Sequence, residues 1–412
     1  MHLTTQTLGS GSRSGSFRAR LRILALALLP LSLLLLQACA PPVAAEVETE
    51  SRSFTHTIVI EDGEPVRLAN LAGRVELVAA DGRDVVIEAT VHANGGSAAK
   101  TQELLENMAW EEHTGSDGEP EWVLTYPVKE HSRLHYNAHD WGAGHWGLIK
   151  TTTVYAGRRV KLSTANKGGS VPTLYANLRI QVPLGVVFRL ENSVGLIDGQ
   201  GTLGGDWTLD TGSGAVNLEE FAGQLLVDTG SGDVTLGTVR GESNIDTGSG
   251  DIEVAELIGN GRLDTGSGDV RVRKVASGRL VVDTGSGDVY LADGSAGRLE
   301  LDTGSGEIRV IGVEIEEMLA DTGSGDIVVE SSLAQARRLD LDTGSGDVRI
   351  LAGADASFDV ALDSGSGELV VRYDDADLTR SDRKVVGARR GSGQPRIVID
   401  TGSGDALVAP AD

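Results

Sequence analysis

The sequence predicts an all-β fold: a single-stranded right-handed parallel β-helix, or solenoid, with rungs of 18 to 21 residues and a small N-terminal cap containing one short helix. Two observations predict it. The phrase Asp-Thr-Gly-Ser-Gly recurs through the second half of the 412-residue chain, and apolar residues alternate with other residues on both sides of each copy. A repeat this short is typical of a solenoid in which each copy forms one rung.

An aspartate opens every copy of the repeated phrase. Successive aspartates are 18, 18, 18, 19, 19, 19, 21, 21 and 37 residues apart. They are Asp210, Asp228, Asp246, Asp264, Asp283, Asp302, Asp321, Asp342, Asp363 (in the variant DSGSGE) and Asp400. An array of strands joined by crossover helices is excluded, because 18 residues cannot hold a crossover helix together with two strands.

The residues around each turn predict which side chains point inward. The residue before each aspartate is apolar, as are those six and eight positions after it, for example Val227, Val234 and Leu236 around Asp228. This alternation predicts two short strands per rung, with the aspartate outward and the threonine inward. The two turn glycines are expected to have positive φ, and a weaker glycine five residues before the aspartate is expected at another corner.

The ten aspartates form a first acidic file. A second acidic file runs beside it, formed by the acidic residue that closes most copies of the phrase. Its members are Asp233, Asp251, Asp269, Asp288, Glu307, Asp326, Asp347, Glu368 and Asp405. Carboxylates stacked about 5 Å apart repel one another. Turn amides or bound cations are therefore expected to offset this repulsion.

The N-terminus has the layout of a bacterial lipoprotein. Residues 1–38 contain the basic stretch RARLR followed by an apolar run, which is typical of an export signal. The sequence LQAC at 36–39 resembles a lipobox, which implies lipidation of Cys39, the only cysteine. Residues 39–53 are predicted to be a flexible tether. We expect the chain in the cell envelope, at the outer membrane or cell surface, and held to the membrane by this lipid.

Residues 54–190 are predicted to form the N-terminal cap and the first rungs, ahead of the repeat β-helix at 191–412. The stretch ANLAG at 69–73 is a degenerate copy of the turn, and SAAKTQELLENMAWEE at 97–112 predicts the single helix. An insertion is predicted at about 127–175. A solenoid needs such a cap to cover the exposed end of its core.

The insertion concentrates His and Trp residues, which are common contact residues on loops. The candidate ligand contacts are His131, His135, His139, Trp141, His145 and Trp146. On a helix, His131, His135 and His139 would share one face and could hold zinc. The Gly-rich context opposes a helix, so we expect no metal site and no cofactor. Alternatively, Trp141 and Trp146 fold back over the solenoid as a cap.

Three chemical interpretations of the repeated phrase compete with a structural one. An aspartic protease needs two Asp-Thr-Gly turns that pair their carboxylates, whereas this chain has ten copies. Calcium-binding β-rolls have an acidic turn every nine residues, and the second corner here lacks Asp, which favours only a loose association of divalent cations. A carbohydrate-active enzyme such as a polysaccharide lyase or hydrolase needs one rung unlike the others. It remains the alternative function.

Several segments resemble the bacterial putative-adhesin family. These are ANLAGRVEL, LRIQVPLGVVFRLENSVG, the DTGSGD turns and the final GQPRIVIDTGSGDALV, over roughly residues 54–408. The resemblance implies a right-handed single-stranded β-helix with a surface role and no defined ligand. The chain departs from the family pattern in its insertion and in the 37-residue spacing before Asp400.

The function predicted from all these features is a lipid-anchored, non-enzymatic envelope protein that binds or scaffolds. The ligand would be an unknown surface glycan or protein. A formal net charge of -24 makes nucleic acid a poor partner.

Overall fold

Parallel strands stacked rung on rung make up most of the molecule, as the sequence predicts. The computed structural model describes residues 47–61, 64–115, 118–137, 150–164 and 170–411. These residues belong to one compact unit, Ala44–Asp412. The secondary structure of the described residues is almost entirely β, with one α-helix, and the predicted β-solenoid fold class is confirmed.

The repeat region contains strands β12 to β29. Their bounds are β12 Ile197–Thr211, β13 Val216–Thr229, β14 Val234–Thr247, β15 Ile252–Ile258, β16 Gly261–Thr265, β17 Val270–Val272, β18 Val275–Thr284, β19 Val289–Thr303, β20 Ile308–Thr322, β21 Ile327–Glu330, β22 Arg338–Thr343, β23 Val348–Ala352, β24 Phe358–Ser364, β25 Leu369–Val371, β26 Asp377–Ser381, β27 Lys384–Arg390, β28 Arg396–Thr401 and β29 Ala406–Pro410.

Each rung pairs in parallel with the next, so that like residues stack on like residues. In the β12–β13 and β13–β14 pairs, Asp210, Asp228 and Asp246 lie directly beside one another. The flanking aliphatic residues, such as Leu209 and Val227, are buried, and they form a core continuous along the stack. Burial of each such side chain contributes roughly 1.5 to 3 kcal/mol before conformational entropy is subtracted.

The turn glycines have a role different from the predicted one. The turn glycines do not have positive φ; instead, a Cβ built on Gly232 would lie less than 3.0 Å from the carbonyl oxygen of Gly214 one rung away. Glycine is required there because neighbouring turns approach closely. Positive φ occurs instead at the corner glycine of the early rungs, for example Gly223 with φ +135°. The prediction of positive φ in the turn was therefore wrong.

A buried file of threonine hydroxyls connects the turns. Thr265 Oγ1 donates to the carbonyl oxygen of Gly250 in the preceding rung (2.9 Å) and accepts from the amide of Gly268 in its own turn (3.1 Å). The same pair of bonds recurs at Thr229, Thr247, Thr284, Thr303, Thr322, Thr343 and Thr401. Threonine therefore closes each turn and fastens it to the previous one.

The last rungs do not stack in sequence order. Strand β28 pairs with β22 on one side and with β24 on the other, so Asp400 lies between Asp342 and Asp363. The segment before it forms the antiparallel hairpin β26–β27, and β27 pairs with the outer edge of β24. This hairpin accounts for the 37-residue spacing, and it covers part of the last edge, where an unpaired strand would be open to aggregation.

The N-terminal part contains helix α1, Ala98–Glu106, and eleven described strands. Their bounds are β1 Glu50–Ile58, β2 Val66–Asn70, β3 Val75–Ala80, β4 Val85–Asn94, β5 Trp110–Thr114, β6 Pro120–Leu124, β7 Arg133–Tyr136, β8 Lys150–Tyr155, β9 Arg158–Thr164, β10 Thr173–Pro183 and β11 Val186–Asn192.

Three features of this part differ from the sequence prediction: the extent of the helix, the start of the first strand and the content of the insertion. The helix covers Ala98–Glu106 rather than 97–112, because Trp110–Thr114 pairs with β6 as a strand. Strand β1 begins at Glu50, inside the predicted tether, since it pairs with β4 along its whole length. The predicted insertion at 127–175 contains strands β7, β8 and β9 rather than an open loop.

A buried polar network joins this part to the first turn of the solenoid. Asn70 lies in register with Asn192, and its Nδ2 donates to Asn192 Oδ1 (2.9 Å). Tyr126 Oη donates to Asn70 Oδ1 (2.9 Å), and Tyr155 Oη donates to the carbonyl oxygens of Ala69 and Leu124. Burial raises the pKa of Tyr126 well above its usual value. The network therefore holds the degenerate turn in the position of a regular rung.

Candidate functional site

The first acidic file lies on the outer face of the strands that lead into the turns. The ten predicted aspartates form one continuous file, in the spatial order that ends Asp342, Asp400, Asp363. Burial, together with the neighbouring carboxylates Asp283 and Asp321, raises the pKa of Asp302. The pKa of Asp342 is raised in the same way between Asp321 and Asp400. The file is therefore held under mutual repulsion.

Backbone amides offset the repulsion in the second acidic file. The amide of Asp269 donates to Asp251 Oδ1 (2.8 Å), and the amide of Asp288 donates to Asp269 Oδ1 (2.8 Å). The pattern continues to the end of the stack, where the amide of Asp405 donates to Asp347 Oδ1 (2.9 Å). Arginines add to it, for example Arg271 with Asp269 (2.5 Å) and Arg349 with Asp347 (3.1 Å). Eight of the nine carboxylates, all except Glu368, therefore accept a hydrogen bond from an amide or an arginine of the described residues.

A long groove, here called the outer groove, runs along the face that carries the first file. Two contiguous cavities form it, of about 710 Å³ from Arg189 to Glu300 and about 540 Å³ from Val281 to Asp400. They share Val281 and Glu300. Their lining comes from ten rungs, which at about 4.8 Å per rung gives a length of roughly 43 Å. A groove of this length matches an extended ligand better than a compact one.

The two halves of the outer groove differ in charge. The first half is lined by both signs, with Arg189, Arg262 and Arg279 beside Asp206, Glu242 and Glu300. The second half is lined by seven carboxylates and by no cationic residue: Asp283, Glu300, Asp302, Asp321, Asp340, Asp342 and Asp400. Leu226 and Leu319 add exposed apolar surface, with 39% and 40% of their area accessible. The groove therefore offers apolar contacts between rows of charge.

Two further cavities lie in the N-terminal part. A pocket of about 730 Å³ between α1, the segment after β6 and the β8–β9 turn is lined by Tyr126, Val128 and His131 among others. A smaller groove of about 420 Å³ is lined by residues of β7, β8 and β9, including His135. The structure thus places the two described histidines of the predicted contact set in different cavities.

The predicted contact and anchor residues are only partly described. His139, Trp141, His145, Trp146 and Cys39 lie outside the described residues. His135 lies on strand β7, and four residues of strand span about 13 Å, so His131 and His135 do not share one helical face. Within the described ranges, no group of three or more His, Cys, Asp or Glu residues is arranged to hold a metal ion.

Among residues 47–411, apart from the undescribed gaps, no helix is long and apolar enough to cross a bilayer.

Sequence reasoning missed a set of cations in the smaller groove. Arg133, Lys150 and Lys161 line it, yet they lie in the segment that was interpreted as a loop. A signal was present in RRVKLST at 158–164, where basic and apolar residues alternate as they do in a strand with one solvent face.

Comparison with protein families supports the resemblance over part of the chain. A family model described as Toastrack DUF4097 matches residues 258–409. The matched range begins well inside the 54–408 over which the sequence resembles adhesin-like proteins, and it covers the later rungs. Comparison with curated proteins gave no match.

Several solved structures are similar in outline. One is a putative adhesin from Bacteroides fragilis, at 10% identity over 86% of this chain and 96% of that one, with a TM-score of 0.25. Another is a putative lipid binding protein from Parabacteroides distasonis, at 13% identity over 86% and 97%, with a TM-score of 0.31. A putative adhesin from the same organism has 12% identity over 87% and 97%, with a TM-score of 0.26. Similarity this low carries no argument about function.

Proposed function

We propose that this protein is a lipid-anchored, non-enzymatic β-solenoid of the bacterial cell envelope that binds an extended surface ligand along the outer groove. The observation that carries the proposal is the groove itself, which continues over ten rungs. A linear glycan or an extended peptide could contact successive rungs with successive units. Repetition of the same contacts is a means of gaining affinity without a deep pocket.

The chemistry of the groove favours binding over catalysis. Acid–base catalysis needs two ionisable groups whose surroundings separate their pKa values at one place. Here the carboxylates have like neighbours, and several are paired, as Asp264 is with Arg262 (2.6 Å) and Glu300 with Arg298 (2.6 Å). A carbohydrate-active enzyme on the same fold is the alternative, because glycan-cleaving sites also lie in clefts along solenoids.

A binding screen with matched variants tests the proposal. The full-length protein, purified in a non-ionic detergent, is screened against glycans and matrix proteins, and each hit is titrated against two groove variants, Leu226→Arg and Leu319→Arg. Because both residues line the groove, affinity should fall about tenfold or more. Val59→Arg, at an exposed apolar residue outside the groove, should leave it unchanged.

Two outcomes would count against the proposal. Equal affinity of all three variants would show that the ligand binds elsewhere. Release of shortened chains from a bound glycan would favour the enzyme.

The anchor and the cation association are proposed on the sequence alone. Cys39→Ala should abolish labelling by a palmitate analogue, and persistent labelling of this variant would refute the lipobox interpretation. Divalent cations are proposed to associate loosely with the two acidic files. Calcium should therefore raise the melting temperature only slightly, and magnesium should do so equally.

A further inference from the structure

A basic surface stands out on the three-stranded sheet formed by β7, β9 and β8. Arg133 lies directly beside Lys161, which lies beside Thr152, and in the next row His135 lies beside Ser163, which lies beside Lys150. The alternate residues Leu134 and Leu162 are buried, so these two rows share the solvent face. We call this set of six residues the cationic face.

Nothing described neutralises the charges of this face. Arg133, Lys150 and Lys161 form no ion pair among the described residues, and no carboxylate lines the groove of about 420 Å³ that they share. In the regular rungs, residues 197–352, the arginines are paired with carboxylates, as Arg309 is with Glu307 (2.6 Å). Like charges opposite each other on neighbouring strands are destabilising. In a chain of net charge -24, such a cluster calls for a counter-charge.

The polar groups between the cations are hydrogen-bond donors suited to an anion. Ser163 Oγ lies 2.8 Å from His135 Nδ1, which leaves Nε2 as the ring nitrogen available to a ligand. Thr152 lines the same groove and, in register with Lys161, adds a hydroxyl group to the cationic face. Arginine offers a planar fork to oxyanions, and lysine offers a mobile point charge. The groove therefore combines charge with directed donors.

We propose that the cationic face binds a phosphate monoester group carried by a larger molecule. A single carboxylate would neutralise one of the three permanent cations and leave the others facing each other. A dianion with three or four acceptor oxygens can engage Arg133, Lys161 and Lys150 together. The cavity is within the usual size of small-ligand sites, and it can hold the group with part of the molecule that bears it. This site is separate from the outer groove.

Isothermal titration of the full-length protein in non-ionic detergent tests the site. The probes are inorganic phosphate, sulfate and acetate. We expect phosphate and sulfate to bind and acetate to bind at least about tenfold more weakly. In the double variant Arg133→Gln with Lys161→Gln, phosphate affinity should fall about tenfold or more, the loss expected from removing a charge-assisted hydrogen bond.

The matched control removes the same charges from the solenoid. Arg273 and Lys274 are exposed and pair with Glu253 and Glu256. Changing both to Gln should alter phosphate affinity by less than about twofold, since their charge is already neutralised. Absence of phosphate binding by the wild type, equal binding of acetate, or equal losses in the two double variants would overturn the proposal. None of these outcomes depends on whether the outer groove binds its own ligand.

Two soluble phosphates then identify the carrier. Dihexanoyl phosphatidic acid presents the group on a lipid, and a sugar 1-phosphate presents it on a glycan. Tighter binding of the lipid than of inorganic phosphate would support a membrane headgroup as ligand. Tighter binding of the sugar phosphate would support a phosphorylated glycan. If neither binds, the claim that the group is part of a larger molecule fails.

Discussion

The repeat solenoid and the N-terminal part treat charge in opposite ways. In the solenoid the repulsion within the second acidic file is offset in place, by turn amides as in Asp269 with Asp251 Oδ1 (2.8 Å) and by arginines as in Arg271 with Asp269 (2.5 Å). In the N-terminal sheet, Arg133 lies beside Lys161, and none of the described residues that line their groove carries a carboxylate. Repetition thus supplies the rungs with donors for the charges of the second acidic file. The irregular part instead keeps a cluster of cations that has no counter-charge among the described residues.

The two parts also differ in how they tolerate the loss of residues. Deleting residues 247–264 removes one period and rejoins Asp246 to Thr265, so the neighbouring rungs can stack again in register. The melting temperature should fall by less than about 5 °C. Deleting the same number of residues at 120–137 removes Tyr126 and the strands β6 and β7, and it should abolish the cooperative transition measured by circular dichroism. Equal losses in the two deletions would contradict the distinction.

Glycine substitutions should sharpen the comparison at the level of one methyl group. Gly232→Ala places a Cβ against the carbonyl oxygen of Gly214 and should cost about 2 to 4 kcal/mol. Gly157→Ala, in the β8–β9 turn, meets open space but has φ +71°, so it should cost about 1 kcal/mol. The measurement is urea unfolding. If Gly157→Ala were the more damaging change, close approach between turns would not be what selects glycine.

The threonine file provides a matched pair within the solenoid. Thr265→Val removes two hydrogen bonds and leaves the carbonyl of Gly250 and the amide of Gly268 without that partner, at about 1 to 3 kcal/mol. Thr211 is buried too, but its Oγ1 makes no hydrogen bond to the described residues. Thr211→Val should therefore be neutral or slightly stabilising in the same unfolding experiment. Equal destabilisation would mean that side-chain shape, rather than hydrogen bonding, sets the preference.

The smallest expected effect is on stability and its pH dependence. Removing the charge of Asp302 and removing that of Glu300 should change the stability at pH 7 in opposite directions. Burial and the carboxylates of Asp283 and Asp321 raise the pKa of Asp302, so ionised Asp302 destabilises the fold above that pKa. Asp302→Asn should stabilise slightly at pH 7, and this gain should vanish as the pH falls below the unfolded value near 3.9.

Glu300 provides the reverse case. Hydrogen bonds from Arg279 and then Arg298 lower its pKa, so its contribution is present at neutral pH and is lost as the pH falls through the folded pKa. Glu300→Gln should therefore destabilise slightly at pH 7. Unfolding at pH 3 and pH 7, in low and high salt, checks both signs. The same sign at both positions would refute the repulsion within the first file.

The fold was predictable from the sequence because its signal is repeated. Nine turns spaced 18 to 21 residues apart determine the rung length, and alternation around Asp228 determines which residues enter the core. The smaller groove was not predictable in the same way, because Arg133, Lys150 and Lys161 are far apart in the chain and each is unremarkable alone. Only the pairing of β7 and β8 with β9 brings them into one surface.

The sequence by itself therefore determined the all-β solenoid, its period and the stacking of acidic residues, since these follow from local patterns of residue type. Tertiary structure alone decided the rest. It placed Asp400 between Asp342 and Asp363, because strand β28 inserts between β22 and β24. Strand β27 of the hairpin pairs with the other edge of β24. Tertiary structure also made close approach the reason for the turn glycines, since a neighbouring carbonyl one rung away is invisible in the local sequence.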